Sequence, residues 1–143
     1  RKNFKSFNDF YLSPIICYES VYGEYVTEYT RSGSKLFAII TNDGWWDVSE
    51  GHKQHLSYAK LRAIENRRNI VRSANTGVSA IINYRGEIED SIEYGEEGFI
   101  NTNVGLIEEK TFYVNYGDYI FRISLFFFII IGLHFLATIF KIK

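Results

Sequence analysis

The sequence predicts an α/β domain over residues 1–117, followed by one membrane-crossing helix over residues 118–143. Three observations carry this. Strand and helix signals alternate along the first part. At 143 residues the chain suits one domain and is long enough to bury a core. The run "ISLFFFIIIGLHFLATIF" (Ile123 to Phe140) carries no Asp, Glu, Lys or Arg.

The elements follow in order. "PIIC" (14–17) is a short buried strand. "YESVYGEYVTEYTRSG" (18–33) sets Tyr22, Tyr25, Val26 and Tyr29 at helical spacing, with Gly33 as the stop. "KLFAIITN" (35–42) is a second buried strand, so the first three elements form a β-α-β unit and favour a parallel pair. "DGWWDVSEG" (43–51) is a loop. "HKQHLSYAKLRAIENRR" (52–68) is a helix with Leu56, Ala59, Ala63 and Ile64 on its apolar face and its charges in solvent. Arg62, Glu65 and Arg68 stand at i, i+3 pairing distance. "NIVRSA" and "VSAIINY" are strands joined by the tight turn "NTG" (75–77), whose Gly77 suits a positive φ. "RGEI" (85–88) turns into a further strand.

The C-terminal run, with Ile120 and Phe121 as lead-in, matches the ~20 apolar residues that cross a hydrocarbon core. Tyr116 and Tyr119 flank one end, and Lys141 and Lys143 the other, which makes the lysine end cytoplasmic and turns the domain outward. A very apolar core helix is the alternative. His134, Gly132, Ser124 and Thr138 within the run suit contacts with neighbouring helices.

Charge and composition narrow the function. A net charge of -1 argues against a general nucleic-acid binder. One cysteine forms no internal disulfide and no cysteine metal site. His52 and His55 lack further ligands, so no metal site is expected, and no cofactor. The N-terminal stretch does not read as a signal peptide, and a start at Arg1 rather than Met suits a fragment or processed product.

The chemistry converges on "SPIICYES" (13–20). Cys17 stands where a buried strand ends and a helix begins. That junction exposes the thiol and offers the Tyr18 N–H to an oxyanion, while Glu19 can accept a proton or orient a neighbour. A small buried hydrophobe is the other reading of a lone cysteine. In a parallel sheet the strand C-termini share one crevice, so Asn42 and Asp43 lie near Cys17, and Trp45 and Trp46 can wall an apolar substrate. The alternative there is an Asx-capped loop with its tryptophans packed on the core.

"PIICYES" (14–20), "TNDGWW" (41–46), "QHLSYAKLRAIENRRNIVRSANTGVSAII" (54–82), "GEI" (86–88) and "TFYVNYGDY" (111–119) together resemble the nitrilase, or carbon–nitrogen hydrolase, superfamily. More narrowly they resemble its membrane branch, the apolipoprotein N-acyltransferases. The resemblance covers almost the whole chain. It implies part of a nitrilase-like α-β-β-α sandwich ahead of the membrane helix, facing the exterior of a bacterial cytoplasmic (inner) membrane. It further implies that Cys17 takes an acyl chain from a phospholipid as a thioester. The N-terminal amine of a diacylglyceryl-cysteine lipoprotein then receives it. Cys17 and Glu19 fall at catalytic positions, and Tyr18, Asn42, Trp45 and Trp46 at substrate or oxyanion positions. The family's Glu base and Lys cation lie upstream of its cysteine, on segments absent from this chain. The chain thus resembles the C-terminal part of such an enzyme and is expected to be inactive alone. A membrane-anchored amidase and a catalytically dead interaction domain are the competing readings.

Overall fold

A computed structural model describes residues 2–141. Arg1 and Lys143, to which the sequence reading assigned a processed start and a cytoplasmic flank, lie outside the described residues. Six strands form one mixed sheet in chain order: β1 (Phe4–Lys5), β2 (Tyr11–Ile16), β3 (Ser34–Asn42), β4 (Asn69–Asn75), β5 (Ser79–Ile82) and β6 (Ile88–Ile92). β2, β3 and β4 are mutually parallel, and β1, β5 and β6 join antiparallel. Helix α1 (Gly23–Arg31) makes the crossover from β2 to β3, and α2 (Glu50–Asn66) that from β3 to β4.

Strand alternation sends Ser13 and Ile15 of β2, Phe37, Ile39 and Thr41 of β3, and Ile70 and Arg72 of β4 to the helical side, where all are buried. The core joins Ile15, Phe37, Ile39, Ile70, Ala80 and Ile82 of the sheet to Val26 and Tyr29 of α1 and Ala59 and Ala63 of α2. The opposite side is only partly covered among the described residues: Ile16 and Ile40 are about half exposed, whereas Ile81 of β5 is buried. The chain therefore builds one α layer on one β layer of a nitrilase-like α/β fold.

Two elements depart from the sequence reading. The segment after β2 does not enter an α-helix directly. A 3-10 turn (Cys17–Val21) comes first, and Tyr22, extended at φ -90° and ψ 101°, separates it from α1. The reason is local. Glu19 folds back on the turn, its Oε2 accepting the Ile16 N–H at 2.8 Å. The second departure is α2. Its buried face is largely polar (His52, His55, Arg62 and Asn66 beside Ala59 and Ala63), while Ile64 is half exposed. Arg62 does pair with Glu65, Nε to Oε2 at 3.1 Å, but it is buried rather than solvated. Arg68, also buried, donates instead to the carbonyls of Ser34 (2.6 Å) and Glu109 (2.6 Å), holding the chain after β6 against the sheet.

α3 (Phe112–Tyr116), capped by Thr111, packs on α1 and α2. α4 (Tyr119–Lys141) projects from it, apolar over Tyr119–Phe140 and exposed there at every residue but the partly buried Gly132. Its start is tied to α1. Glu24 Oε1 accepts the Asp118 N–H at 2.9 Å and pairs with Arg122 Nη2 at 2.8 Å.

Candidate active site

The C-terminal ends of β2 and β3 bring Cys17, Thr41 and Asp43 together. Ile16 pairs with Ile40 in register, so the residues that follow the two strands leave the sheet side by side. Cys17 is the first residue of the 3-10 turn and holds φ at +50°, a left-handed conformation that costs a residue with a Cβ about 1–3 kcal/mol. The bend turns the half-buried thiol out of the strand direction. The Tyr18 N–H is among those a helical turn leaves without an internal acceptor.

Beneath the thiol lies a buried polar network. Thr41 Oγ1 is 3.3 Å from Cys17 Sγ and 3.0 Å from Asp43 Oδ1. Asp43, wholly buried, takes Arg72 Nη2 on Oδ2 at 2.5 Å and His55 Nδ1 on Oδ1 at 2.9 Å. A carboxylate only accepts, so the His55 proton sits on Nδ1 at this contact. His55 Nε2 faces Ser20 Oγ at 3.0 Å, and Ser20 donates to the Cys17 carbonyl at 2.9 Å. Arg72 also donates to the Val78 carbonyl. Burial by itself raises the Asp43 carboxyl. The hydrogen bonds of His55 and Arg72, the Arg72 charge and the Thr41 hydroxyl outweigh it and lower the group from 3.8 to about 2. Both ends of Cys17 are thus held, the sulfur through Thr41 and the carbonyl through Ser20.

The residues singled out from sequence separate into groups. Cys17, Tyr18 and Asp43 do converge. Glu19 spends one oxygen on the Ile16 N–H and the other on Tyr25 OH (2.6 Å), so its visible work is to shape the turn. Asn42 accepts the Gly44 N–H at 3.1 Å, the Asx cap that was the alternative reading. Trp46 packs 5.1 Å from the His55 ring and against Gly51, whereas Trp45 is 83% exposed. Tyr18, about half exposed, meets Tyr22 edge-on, and a cleft of about 140 Å³ opens between it, Trp46, His55 and Tyr58.

Thr41, His55 and Arg72 escaped the sequence reading as site residues. The available signal was parity. Arg72 sits among inward-facing Ile70 and Ala74 on a buried strand, where an unpaired charge is prohibitive. Gly77 was read as supplying a positive φ, but the positive φ of this turn falls on Thr76 (69°). Gly77 is small for another reason: a Cβ there would lie 2.5 Å from Asp43 Oδ2.

A parallel β-α-β core with a cysteine at positive φ at the mouth of its strands, above buried charge, defines an α/β protein with a candidate thiol site. The chain belongs to the carbon–nitrogen hydrolase family, whose model matches residues 7–108. Among individual proteins it is similar to the apolipoprotein N-acyltransferase of Geobacter metallireducens, 41% identical over 104 residues (73% of this chain, 20% of that protein). The apolipoprotein N-acyltransferase of Thermotoga maritima is 32% identical over 126 residues (86% of this chain, 25% of that protein). The chain therefore spans a fifth to a quarter of the length of these relatives. In fold it is similar to an amidase from Nesterenkonia sp. (TM-score 0.58, 16% identity, covering 87% of this chain and 46% of that one). It is also similar to a carbon–nitrogen hydrolase from Helicobacter pylori G27 (TM-score 0.55, 14% identity, 61% and 38%).

Proposed function

We propose that Cys17 is the acyl-carrying nucleophile of a lipoprotein N-acyltransferase that includes this chain within a longer protein. The observation that carries this reading is the Cys17 turn: a thiol at positive φ, above buried Asp43, in a chain 32–41% identical to proteins of that name. In the first step Cys17 Sγ bonds to the acyl carbon of a phospholipid ester. The ester C–O bond breaks, and the lysophospholipid alcohol leaves with a proton. In the second, the α-amine of a diacylglyceryl-cysteine attacks the thioester. The C–S bond breaks, the amine gives up a proton and the thiol regains one. Splitting the transfer this way replaces one difficult step with two easier ones.

The Tyr18 N–H serves the oxyanion, and Glu19 keeps that N–H in place by holding the turn. Trp45, exposed beside the site, suits an acyl-chain entrance, with Trp46 and Asn42 supporting its loop. The general base and the cation that a thiolate requires are a Glu and a Lys elsewhere in the longer protein. α4 holds the site at the surface of the inner membrane, where both lipid-anchored substrates lie.

Incubating the full-length protein with a phospholipid labelled in its acyl chain tests this. Label should appear on the peptide bearing Cys17 and vanish in Cys17→Ser; label that survives that substitution overturns the assignment. The likeness to amidases supports a second reading, in which water takes the acyl group. Offering a diacylglyceryl-cysteine peptide separates the two: amide product supports the transferase, and release of free acid alone supports the hydrolase.

A further inference from the structure

We propose that Thr41 is a positioning residue whose hydroxyl proton alternates between Asp43 and the Cys17 sulfur as the sulfur gains and loses charge. The inference rests on the reading of Cys17 as nucleophile and concerns what holds its thiolate.

The Thr41 hydroxyl has one proton and two acceptors within reach, Cys17 Sγ at 3.3 Å and Asp43 Oδ1 at 3.0 Å. While Cys17 is a neutral thiol, the carboxylate is the stronger acceptor. Thr41 then donates to Asp43 and its oxygen can take the S–H. When the sulfur becomes a thiolate, its charge competes for the same proton. Rotation about the Cβ–Oγ1 bond re-aims the hydroxyl with no bond broken. Asp43 can release it, because His55 Nδ1 (2.9 Å) and Arg72 Nη2 (2.5 Å) still satisfy its two oxygens. Thr41 is only 6% exposed, so water is a poor substitute donor from that side.

The other charged and titratable groups around the thiol are already engaged. Glu19 of the same turn holds Ile16 N–H and Tyr25 OH, His55 of α2 is held by Asp43 and Ser20 with its Nε2 also 3.2 Å from the Cys17 carbonyl, and Arg72 of β4 is held by Asp43 and the Val78 carbonyl with Nη2 3.4 Å from His55 Nδ1. Tyr18 is directed toward Tyr22. A hydroxyl that follows the sulfur's charge serves both steps of the transfer, since a thiolate is consumed when the thioester forms and develops again when it breaks.

Iodoacetamide reads the thiol without any acyl donor. With the full-length protein in detergent at about pH 6.5, where an ordinary thiol is mostly protonated, the alkylation rate of the Cys17 peptide follows the thiolate fraction. Thr41→Val keeps the shape and removes the donor, and should slow alkylation roughly three- to tenfold. Thr41→Ser returns the donor and should restore the rate to within about twofold of wild type. A packing role for the Thr41 methyl would produce the opposite ranking. Melting midpoints of both variants are measured alongside; if valine lowers the midpoint by several degrees, Thr41→Ala repeats the comparison. A valine or alanine variant alkylated as fast as wild type, or a serine variant as slow as valine, overturns the proposal. Phospholipid labelling keeps the two readings apart. Label surviving Cys17→Ser removes the nucleophile and this role with it. Normal labelling with an unmoved Thr41 series removes the Thr41 role alone.

Discussion

Cys17 carries its strain in the backbone, and that strain is measurable apart from its chemistry. At φ +50° a Cβ crowds the neighbouring carbonyl and a glycine does not. Cys17→Gly and Cys17→Ala both delete the thiol, so their difference isolates the turn. The glycine variant should be the more stable by about 1 kcal/mol or more in urea titration; an alanine variant of equal or greater stability would show that the turn stores no such strain. Asp43 governs a second residue-scale effect. Its carboxyl is lowered from 3.8 to about 2 on folding, so the native state binds its proton more weakly than the unfolded chain. The resulting stability is fully present above about pH 4 and is lost as pH falls toward 2, up to about 2 kcal/mol. Asp43→Asn should flatten the stability curve in that window. At neutral pH it should cost about 3–5 kcal/mol, because Arg72 stays buried without its counter-charge. Chemical denaturation from pH 2 to 7 checks both; an unchanged acid slope in the variant would assign it elsewhere.

At the scale of elements, the β4–β5 turn shows what was legible in the sequence and what was not. "NTG" announced a turn, and a turn is there, because chain reversal is a local property. The reason for its glycine was not local. Gly77 is kept small by Asp43, more than thirty positions earlier and on another loop. Gly77→Ala should push Asp43 off its partners and cost about 1–3 kcal/mol, with thiol reactivity falling in step. Thermal melting and alkylation of the same sample test this, and a change in neither would mean that the turn yields freely. α2 teaches the same lesson. Its existence followed from periodicity, but its face did not. Hydropathy put Ile64 inward and the charges outward, whereas Arg62 is buried and bonded to Glu65 and His55 is buried and bonded to Asp43. The β-α-β unit with its parallel pair and the strand end at Cys17 could be read from spacing, although a 3-10 turn rather than α1 follows that end. The Thr41–Asp43–His55–Arg72 network could not, since it joins β3, α2 and β4 by contacts that only the folded sheet brings within reach.

For the whole molecule, the question is how a soluble-looking α/β layer and an apolar helix are fixed relative to a membrane. α4 is apolar from Tyr119 to Phe140 and exposed there apart from the partly buried Gly132, as a helix surrounded by lipid would be. Both ends of this helix carry positive charge. On the domain side Arg122 pairs with Glu24, and Asp118 adds a carboxylate nearby. On the far side stand Lys141 and Lys143. The positive-inside tendency counts lysines and arginines near the helix ends, and the two sides match in number (Lys110 and Arg122 against Lys141 and Lys143), so the proposed cytoplasmic C-terminus rests on the two lysines standing directly at the helix end. The Glu24 clamp also links the start of α4 to α1, the helix that follows the Cys17 turn; with α4 in a bilayer as proposed, that link would set the distance of the thiol from it. A reporter fused after Lys143 that is active only in the cytoplasm should therefore be active, and one active only outside should be silent. Replacing both lysines with glutamate should reduce that preference, while Glu24→Gln should leave orientation unchanged and loosen the domain against the helix, seen as faster proteolysis near Gly117. A C-terminus that proved external would reverse the proposed placement of Cys17 and put the acyl transfer on the wrong side for a lipoprotein acceptor.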